Sequence, residues 1–170
     1  MTAILRMLSY LIIALAYTFA YASQSLSPVK HQGTTLLETA DNKMTVQAKI
    51  KTHQIEIGKR SDGRPLHVQS NCTYSRYPCS LVDSLEIAVN GNSLFIPRSV
   101  FCDLADLYKA ELKIGKKCSI LMLFGGDASE SYIVKIEFNE SRVCRRILSS
   151  ALSPDQSFQE TVFHERVLGD

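Results

Sequence analysis

Alternation of apolar and charged residues is clearest between Tyr108 and Phe138, where it predicts three consecutive β-strands. In residues 108–114 every second residue is apolar and the residues between are Lys or Glu, so the apolar set shares one face of a strand. Residues 119–124 are apolar almost without a break, which predicts a strand covered on both faces. Residues 132–138 alternate again. Because the connections are short, we expect these strands to form an antiparallel meander.

Shorter alternating stretches predict strands before the meander. Residues 44–50 alternate well, and the apolar parity then switches, which predicts a bulge or a turn around residues 52–54. Residues 85–89 alternate too, and the Asn90-Gly91 pair that follows them is the strongest short-range signal for a β-hairpin. This part of the chain therefore also favours antiparallel pairing.

Three further segments carry weaker patterns. Residues 94–96 are the expected return strand of the hairpin. Residues 142–148 suit either a helix or a strand, and we favour a strand because the preceding elements are strands. A turn at residues 154–156 precedes a last strand, residues 158–165, whose apolar residues available for burial are Phe158, Val162 and Phe163.

One short helix is expected between these strands. Ser99 is a suitable N-cap, and Val100, Leu104 and Leu107 follow at helical spacing, which predicts a helix from Val100 to Leu107 that packs on the sheet. Many short strands with frequent turns and one helix indicate a mainly β fold. We expect an antiparallel β-sandwich or a partly open barrel.

The first 22 residues differ from the rest of the chain. Arg6 is their only charge, an apolar run follows it, and Ala20-Tyr21-Ala22 is a small-residue cleavage site. This order predicts a cleaved secretory signal peptide, with an uncleaved signal anchor as the alternative. We expect a flexible lead-in over residues 23–42, one antiparallel β domain over residues 43–170, and a periplasmic or secreted location. No membrane span is expected after removal of the signal.

All five cysteines follow the predicted signal peptide, and an exported protein meets an environment in which disulfides persist. Cys72 and Cys79 bracket a polar loop and are the predicted disulfide pair. Cys118 and Cys144 are expected two strands apart. Since adjacent strands lie about 4.8 Å apart, we expect their Cα atoms to be about 10 Å apart, too far for a bridge. No pair has zinc-ligand spacing.

Composition excludes some classes of partner. The chain has 19 basic and 17 acidic residues, and loss of the predicted signal peptide removes one basic residue, which leaves it nearly neutral. A near-neutral chain argues against nucleic-acid binding. We expect no cofactor, because the glycines do not form a phosphate-binding loop.

The loop between Cys72 and Cys79 is the first candidate binding surface. It contains Tyr74, Arg76 and Tyr77, residue types that dominate interface hot spots, and a disulfide would lower the cost of ordering them. A disulfide that only stabilises the fold explains the loop equally well.

Two other groups of residues are candidate ligand sites. Arg142, Arg145 and Arg146 form the densest basic group and suit an acidic partner, a phosphate-bearing glycan or a lipid headgroup, although such a group is commonly a solvated face. Asp127 and Glu130 offer oxygen ligands to calcium after Gly125-Gly126, although a hairpin turn explains the same residues.

The four histidines, His31, His53, His67 and His164, lack a recognisable catalytic context. The sequence therefore favours a non-catalytic domain that binds a protein in the envelope or the extracellular space, of the inhibitor or immunity type. The alternatives are a small-molecule or calcium-binding module, and a hydrolase whose residues converge only in three dimensions.

Overall fold

The computed structural model describes residues 24–56, 72–73 and 78–164 of the 170-residue chain. In these ranges two antiparallel sheets contain ten strands. The six-stranded sheet has the order β1-β6-β7-β8-β9-β10 and the four-stranded sheet the order β2-β3-β4-β5. The strands are β1 Gln24–Pro28, β2 Gly33–Ala40, β3 Thr45–Ile55, β4 Cys79–Val89, β5 Asn92–Ser93, β6 Leu107–Lys113, β7 Ser119–Gly125, β8 Tyr132–Phe138, β9 Val143–Ser150 and β10 Ser153–Val162.

Both sheets contribute alternate residues to one hydrophobic core, since successive side chains of a strand point to opposite faces. Fully buried members include Ile50 and Ile87 from the smaller sheet and Leu112, Leu121 and Phe138 from the larger one. The mainly β, antiparallel architecture is confirmed, and the two sheets do not close into a barrel. Within the described ranges, no helix has the length and apolarity needed to span a membrane.

The predicted meander is present as β6, β7 and β8, with two differences. The outward residues of β7 (Ile120, Met122 and Phe124) are only half-buried, so the expectation of cover on both faces is wrong for the outer face. The register of β6 against β7 shifts between Leu107 and Lys109. Because of this bulge, Leu107 faces the core in place of Tyr108, which is exposed.

Two sequence predictions for the smaller sheet, a bulge in β3 and a hairpin at Asn90-Gly91, are confirmed. The register of β3 against β4 shifts between Lys51 and Thr52, which is the predicted bulge. Asn90 and Gly91 have φ values of 52° and 79°, as a tight hairpin requires. The predicted return strand, residues 94–96, is wrong: β5 consists of Asn92 and Ser93 alone, and residues 94–97 continue without regular structure.

The predicted helix from Val100 to Leu107 is wrong. The chain forms only a 3-10 turn, Arg98–Val100, and then extends so that its backbone pairs with β4. The Val82 N–H donates to the Leu104 carbonyl at 3.2 Å, and the Asp106 N–H donates to the Ser80 carbonyl at 2.6 Å. These tertiary hydrogen bonds replace those that a helix would make, a case of context overriding local propensity.

Residues 24–40, expected to be a flexible lead-in, form β1 and β2. The sequence pattern was missed because the inward positions of β2 include Thr35 and Thr39, which are buried beside Leu37. Threonine counts as polar in a hydropathy pattern, yet its β-branched side chain suits a strand. These residues are therefore part of the two antiparallel sheets.

The C-terminal part of the described chain confirms one prediction and corrects two. Residues 143–150 form a strand, as favoured over a helix. Residues 154–156 lie within β10 instead of forming a turn, and the chain turns earlier, at residues 151–152. Phe158 and Val162 were expected to be buried, but they are 70% and 52% exposed because β10 is an edge strand. The predicted signal peptide, residues 1–22, lies outside the described residues.

Candidate functional site

An apolar groove opens between the edges of the two sheets. Residues 94–97, which follow β5, form one wall, and the end of β10 with the start of β9 forms the other. The groove has a volume of about 790 Å³, and its described lining is Phe95, Pro97, Ser141, Arg142, Val143, Val162, Phe163 and His164. Phe95 is 82% exposed. An exposed apolar patch with a polar rim is typical of an interaction site.

Strand β10 forms the outer wall of this groove and pairs only with β9 among the described residues. Two register shifts interrupt its first half, between Ser153 and Ser157 and between Ser157 and Gln159. From Gln159 to Val162 the pairing is regular, and this half contains no proline or lysine to discourage a new neighbour. Among the described residues, the four residues Gln159–Val162 of β10 thus form an open template for an additional strand.

The direction of the main-chain groups follows from the last hydrogen bond of the strand pair. The Phe163 N–H donates to the Cys144 carbonyl at 2.9 Å, so the main-chain groups of Phe163 face β9. Because these groups alternate in direction along an antiparallel strand, those of Val162 and Glu160 face away from β9. The Arg142 Nη1 donates to the Phe163 carbonyl at 2.9 Å and fixes the end of the strand.

The other described sheet edges are poorer sites for pairing with an additional strand. Strand β1 is five residues long and ends with Pro28, β5 has two residues, and β2 lies against β1 of the other sheet. Short edge strands and proline both discourage pairing with another chain. We call the groove together with Gln159–Val162 of β10 the edge groove.

The predicted disulfide is consistent with the structure, in which Cys72 and Cys79 lie at bonding distance with their Cα atoms 5.7 Å apart. Of the intervening loop, Tyr74, Arg76 and Tyr77 lie outside the described residues, so their binding role stays a prediction. The base of the loop is held by Asp106, which is 1% exposed. Its carboxylate accepts from the Thr73 N–H at 2.7 Å and from the Ser80 N–H at 2.9 Å.

Tyr132 completes the anchor below this loop. Its hydroxyl donates to the Ala105 carbonyl at 2.5 Å and accepts from the Ala105 N–H at 3.0 Å. Burial, only partly offset by the hydrogen bond to Ala105, raises the pKa of Tyr132 above its usual value, so the phenol remains a donor. We call Cys72, Cys79, Asp106, Ala105 and Tyr132 the loop anchor.

The loop anchor also contains the only cluster of at least three metal-binding side chains in the described ranges, namely Cys72, Cys79 and Asp106. The two sulfurs of a disulfide are not the thiolates that zinc requires, and the Asp106 carboxylate accepts two backbone hydrogen bonds. Asp127 precedes the 3-10 turn Ala128–Glu130 and Glu130 ends it; both are exposed and do not belong to that cluster. Calcium binding there stays a prediction.

The three arginines do not share one surface. Arg146 is 2% exposed. Its guanidinium donates to the Val100 carbonyl at 3.1 Å, to Gln159 at 3.0 Å and to both oxygens of Asp103 at 2.7–2.9 Å. Through these hydrogen bonds, the buried Arg146 side chain links β9 and β10 to the 3-10 turn and to Asp103 after it.

Arg145 and Arg142 lie elsewhere. Arg145 pairs with Glu137 at 3.1 Å and with Glu160 at 3.0 Å, on the outer face of the larger sheet. Arg142 lines the edge groove. Of the predicted basic group, Arg142 is thus the member that belongs to the candidate site.

The described lining of the groove includes a histidine and a hydroxyl but not a complete catalytic triad, and the one carboxylate of the edge groove, that of Glu160, pairs with Arg145. His164 and Ser141 are both part of the described lining, which contains no carboxylate. The Ser141 hydroxyl donates to Asn139 Oδ1 at 2.9 Å, as part of a local turn. A serine nucleophile needs a base that is itself oriented by a third group, and the described lining lacks that group.

Sequence reasoning missed most of this site. Phe95, Pro97 and Ser141 were not selected, and Val162 was expected in the core. Burial of the end of β10 depended on whether another strand lies beyond it, which the local pattern does not encode. Phe95 lies in the predicted return strand of the hairpin, and its exposure follows only from the structure, where β5 ends at Ser93.

Comparisons of the chain with protein-family models, with curated proteins and with solved structures give no match.

Proposed function

We propose that this protein is a non-catalytic binding domain of the periplasm or the secreted fraction, and that its partner is another protein. The observation that carries the proposal is the edge groove, where an open strand edge lies beside an exposed phenylalanine. The proposed location depends on the predicted signal peptide. An inhibitor or an immunity-type protein acting on an exported enzyme fits this class.

The proposed mode of binding is addition of an extended segment of the partner to β10. The main-chain groups of Glu160 and Val162 that face away from β9 supply hydrogen bonds, and the groove beside the strand accepts alternate side chains, as in other cases of strand addition. The groove lined by Phe95, Val162 and Phe163 suits apolar side chains. Full burial of a phenylalanine side chain contributes about 1.5–3 kcal/mol, which makes Phe95 the expected anchor.

Affinity capture from the native exported fraction tests the proposal, with the chain after the predicted cleavage site as bait and mass spectrometry as the readout. The test variant is Phe95→Ser. The matched control is Leu36→Ser on β2, which removes a leucine that is 59% exposed outside the groove. We expect a dominant partner that is retained by the control and lost by at least tenfold in the test variant.

A main-chain variant separates strand addition from simple apolar contact. Val162→Pro removes an N–H that faces away from β9, so the β9–β10 pairing is retained and addition of a strand is blocked. Circular dichroism checks the fold of each variant. Capture that is unaffected by both Phe95→Ser and Val162→Pro would contradict the edge groove as the binding site.

A further inference from the structure

A second pair of cysteines lies at one end of the larger sheet, away from the loop anchor. Cys118 immediately precedes β7, and Cys144 is the second residue of β9. Both were expected to be too far apart for a bridge, since β8 runs between them. Their thiols nevertheless lie close enough to interact directly, and both side chains are only partly exposed.

A local irregularity of the backbone lies at each of the two cysteines. The register of β9 against β8 pairs Val143 with Phe138 and Arg145 with Glu137, which leaves Cys144 as an extra residue in a bulge, and bulges redirect side chains. On the other side, residues 115–118 form a tight turn. A Cβ atom at Gly115 would lie only 2.1 Å from the Cys118 carbonyl oxygen, so this turn depends on glycine.

We propose that Cys118 and Cys144 form a second, redox-dependent disulfide of this protein. The oxidant is a disulfide of the glutathione class, reacting by thiol–disulfide exchange. The Cys118 thiolate attacks one sulfur of oxidised glutathione and expels the first glutathione thiolate. The Cys144 sulfur then attacks the Cys118 sulfur and expels the second one. Two electrons and two protons pass from the protein thiols to the two glutathione molecules.

The order of attack follows from the surroundings of Cys144. Burial, together with the contact to Cys118, raises the pKa of the Cys144 thiol. The Cys144 thiol also lies 3.8 Å from the Arg142 carbonyl oxygen, to which it donates. A protonated thiol is a poor nucleophile, so Cys118 reacts first and Cys144 resolves the mixed disulfide.

This bridge would also account for the odd number of cysteines. With Cys72–Cys79 and Cys118–Cys144 paired, Cys102 remains as the single unpaired cysteine, and it is exposed. A bridge from β7 to β9 would cross the end of β8 and tie three strands of the larger sheet together.

The test starts from fully reduced protein that is refolded, oxidised with glutathione disulfide and alkylated with N-ethylmaleimide after acid quenching. Intact mass is expected to show one alkylated thiol per chain, and peptide mapping without reduction is expected to place it on Cys102. The peptides of Cys118 and Cys144 are expected as one cross-linked species. Three alkylated thiols, or separate glutathione adducts on Cys118 and Cys144, would overturn the proposal.

A glycine variant keeps the test independent of the cysteines themselves. Gly115→Val opens the turn that brings Cys118 to Cys144, so we expect formation of the Cys118–Cys144 bridge to slow at least tenfold while Cys72–Cys79 forms at the wild-type rate. Equal slowing of both bridges would indicate general misfolding, and Cys144→Ser is the second check. In that variant Cys118 is expected to retain glutathione, because no thiol resolves the mixed disulfide; an unmodified Cys118 would contradict the proposed order.

Discussion

The loop anchor and the edge groove differ in where they place polar and apolar groups: the anchor buries polar side chains, and the groove exposes apolar ones. In the anchor, Asp106 and Tyr132 are buried and their polar atoms are hydrogen-bonded to backbone groups. In the groove, Phe95 and half of a strand edge face solvent. Buried polar groups are normally hydrogen-bonded, as they are in the anchor, whereas exposed apolar groups beside an open strand edge are typical of interaction sites.

The largest expected effect on stability is at Asp106. Asp106→Ala removes the acceptor of two buried N–H groups, each of which costs about 1–3 kcal/mol when left unsatisfied, so we expect a loss of about 3 kcal/mol in the free energy of unfolding. Urea denaturation measures it. Asp106→Asn keeps one acceptor oxygen and is expected to lose about half as much. A loss below about 1 kcal/mol for Asp106→Ala would show that the anchor contributes little.

Arg146→Met is expected to lose about 2 kcal/mol, somewhat less than Asp106→Ala. The variant removes donors to Val100 and Gln159, while the Asp103 carboxylate is 38% exposed and regains water. Arg146→Lys tests geometry, because an ammonium does not reproduce the planar fork of a guanidinium. If lysine restored full stability, charge alone would explain the role of Arg146.

Tyr132→Phe removes only the hydroxyl and is expected to cost about 1–2 kcal/mol, since the N–H and carbonyl of Ala105 are left in a buried site. Thermal denaturation is the measurement. The ring itself is retained, and it packs close to Gly125, where a Cβ atom would lie 2.4 Å from the ring. An unchanged melting temperature would argue that water replaces the hydroxyl.

A smaller effect is expected from the ion pairs of Glu137. Burial raises the pKa of Glu137, but hydrogen bonds and charge from Lys135 and Arg145 outweigh it and hold the pKa below its usual value. The stabilisation is therefore present above the unfolded-state pKa and is lost as the pH falls through the folded-state pKa. We expect Glu137→Gln to cost about 0.5 kcal/mol at pH 7 and nothing at pH 2; a cost that persists at pH 2 would contradict this.

Substitution of Phe95 in the groove is expected to have the smallest effect on the free energy of unfolding. Phe95→Ser removes a side chain that is almost fully exposed, so we expect a change within about 0.5 kcal/mol although partner capture is lost. Leu36→Ser serves as the control for both measurements. Marked destabilisation by Phe95→Ser alone would mean that Phe95 packs in the fold and not against a partner.

The sequence predicted the parts of the fold that depend on local pattern. Residues 119–124 and 132–138 became strands, and Asn90-Gly91 became a hairpin, because period-two alternation and turn chemistry act over a few residues. The segment Val100–Leu107 was predicted to be a helix because its spacing is helical, yet its backbone pairs with β4, which is distant in sequence. Long-range pairing of this kind leaves no local trace.

The same distinction applies to the sites. The pairing of Cys72 with Cys79 depends on seven residues of separation and was predictable. The contact of Cys118 with Cys144 depends on a bulge in β9 and a tight turn before β7, and a regular sheet geometry argued against it. The edge groove was not predictable, because exposure of Val162 depends on which strand ends the sheet.

Site-specific photo-crosslinking tests the central claim most directly. A photoreactive phenylalanine analogue is placed at position 95, or at position 36 as the control, and each protein is irradiated in the native exported fraction. We expect one dominant protein adduct from position 95, which is lost when Val162→Pro is added, and no such adduct from position 36. Equal adducts from both positions, or none from position 95, would contradict the edge groove as a binding site.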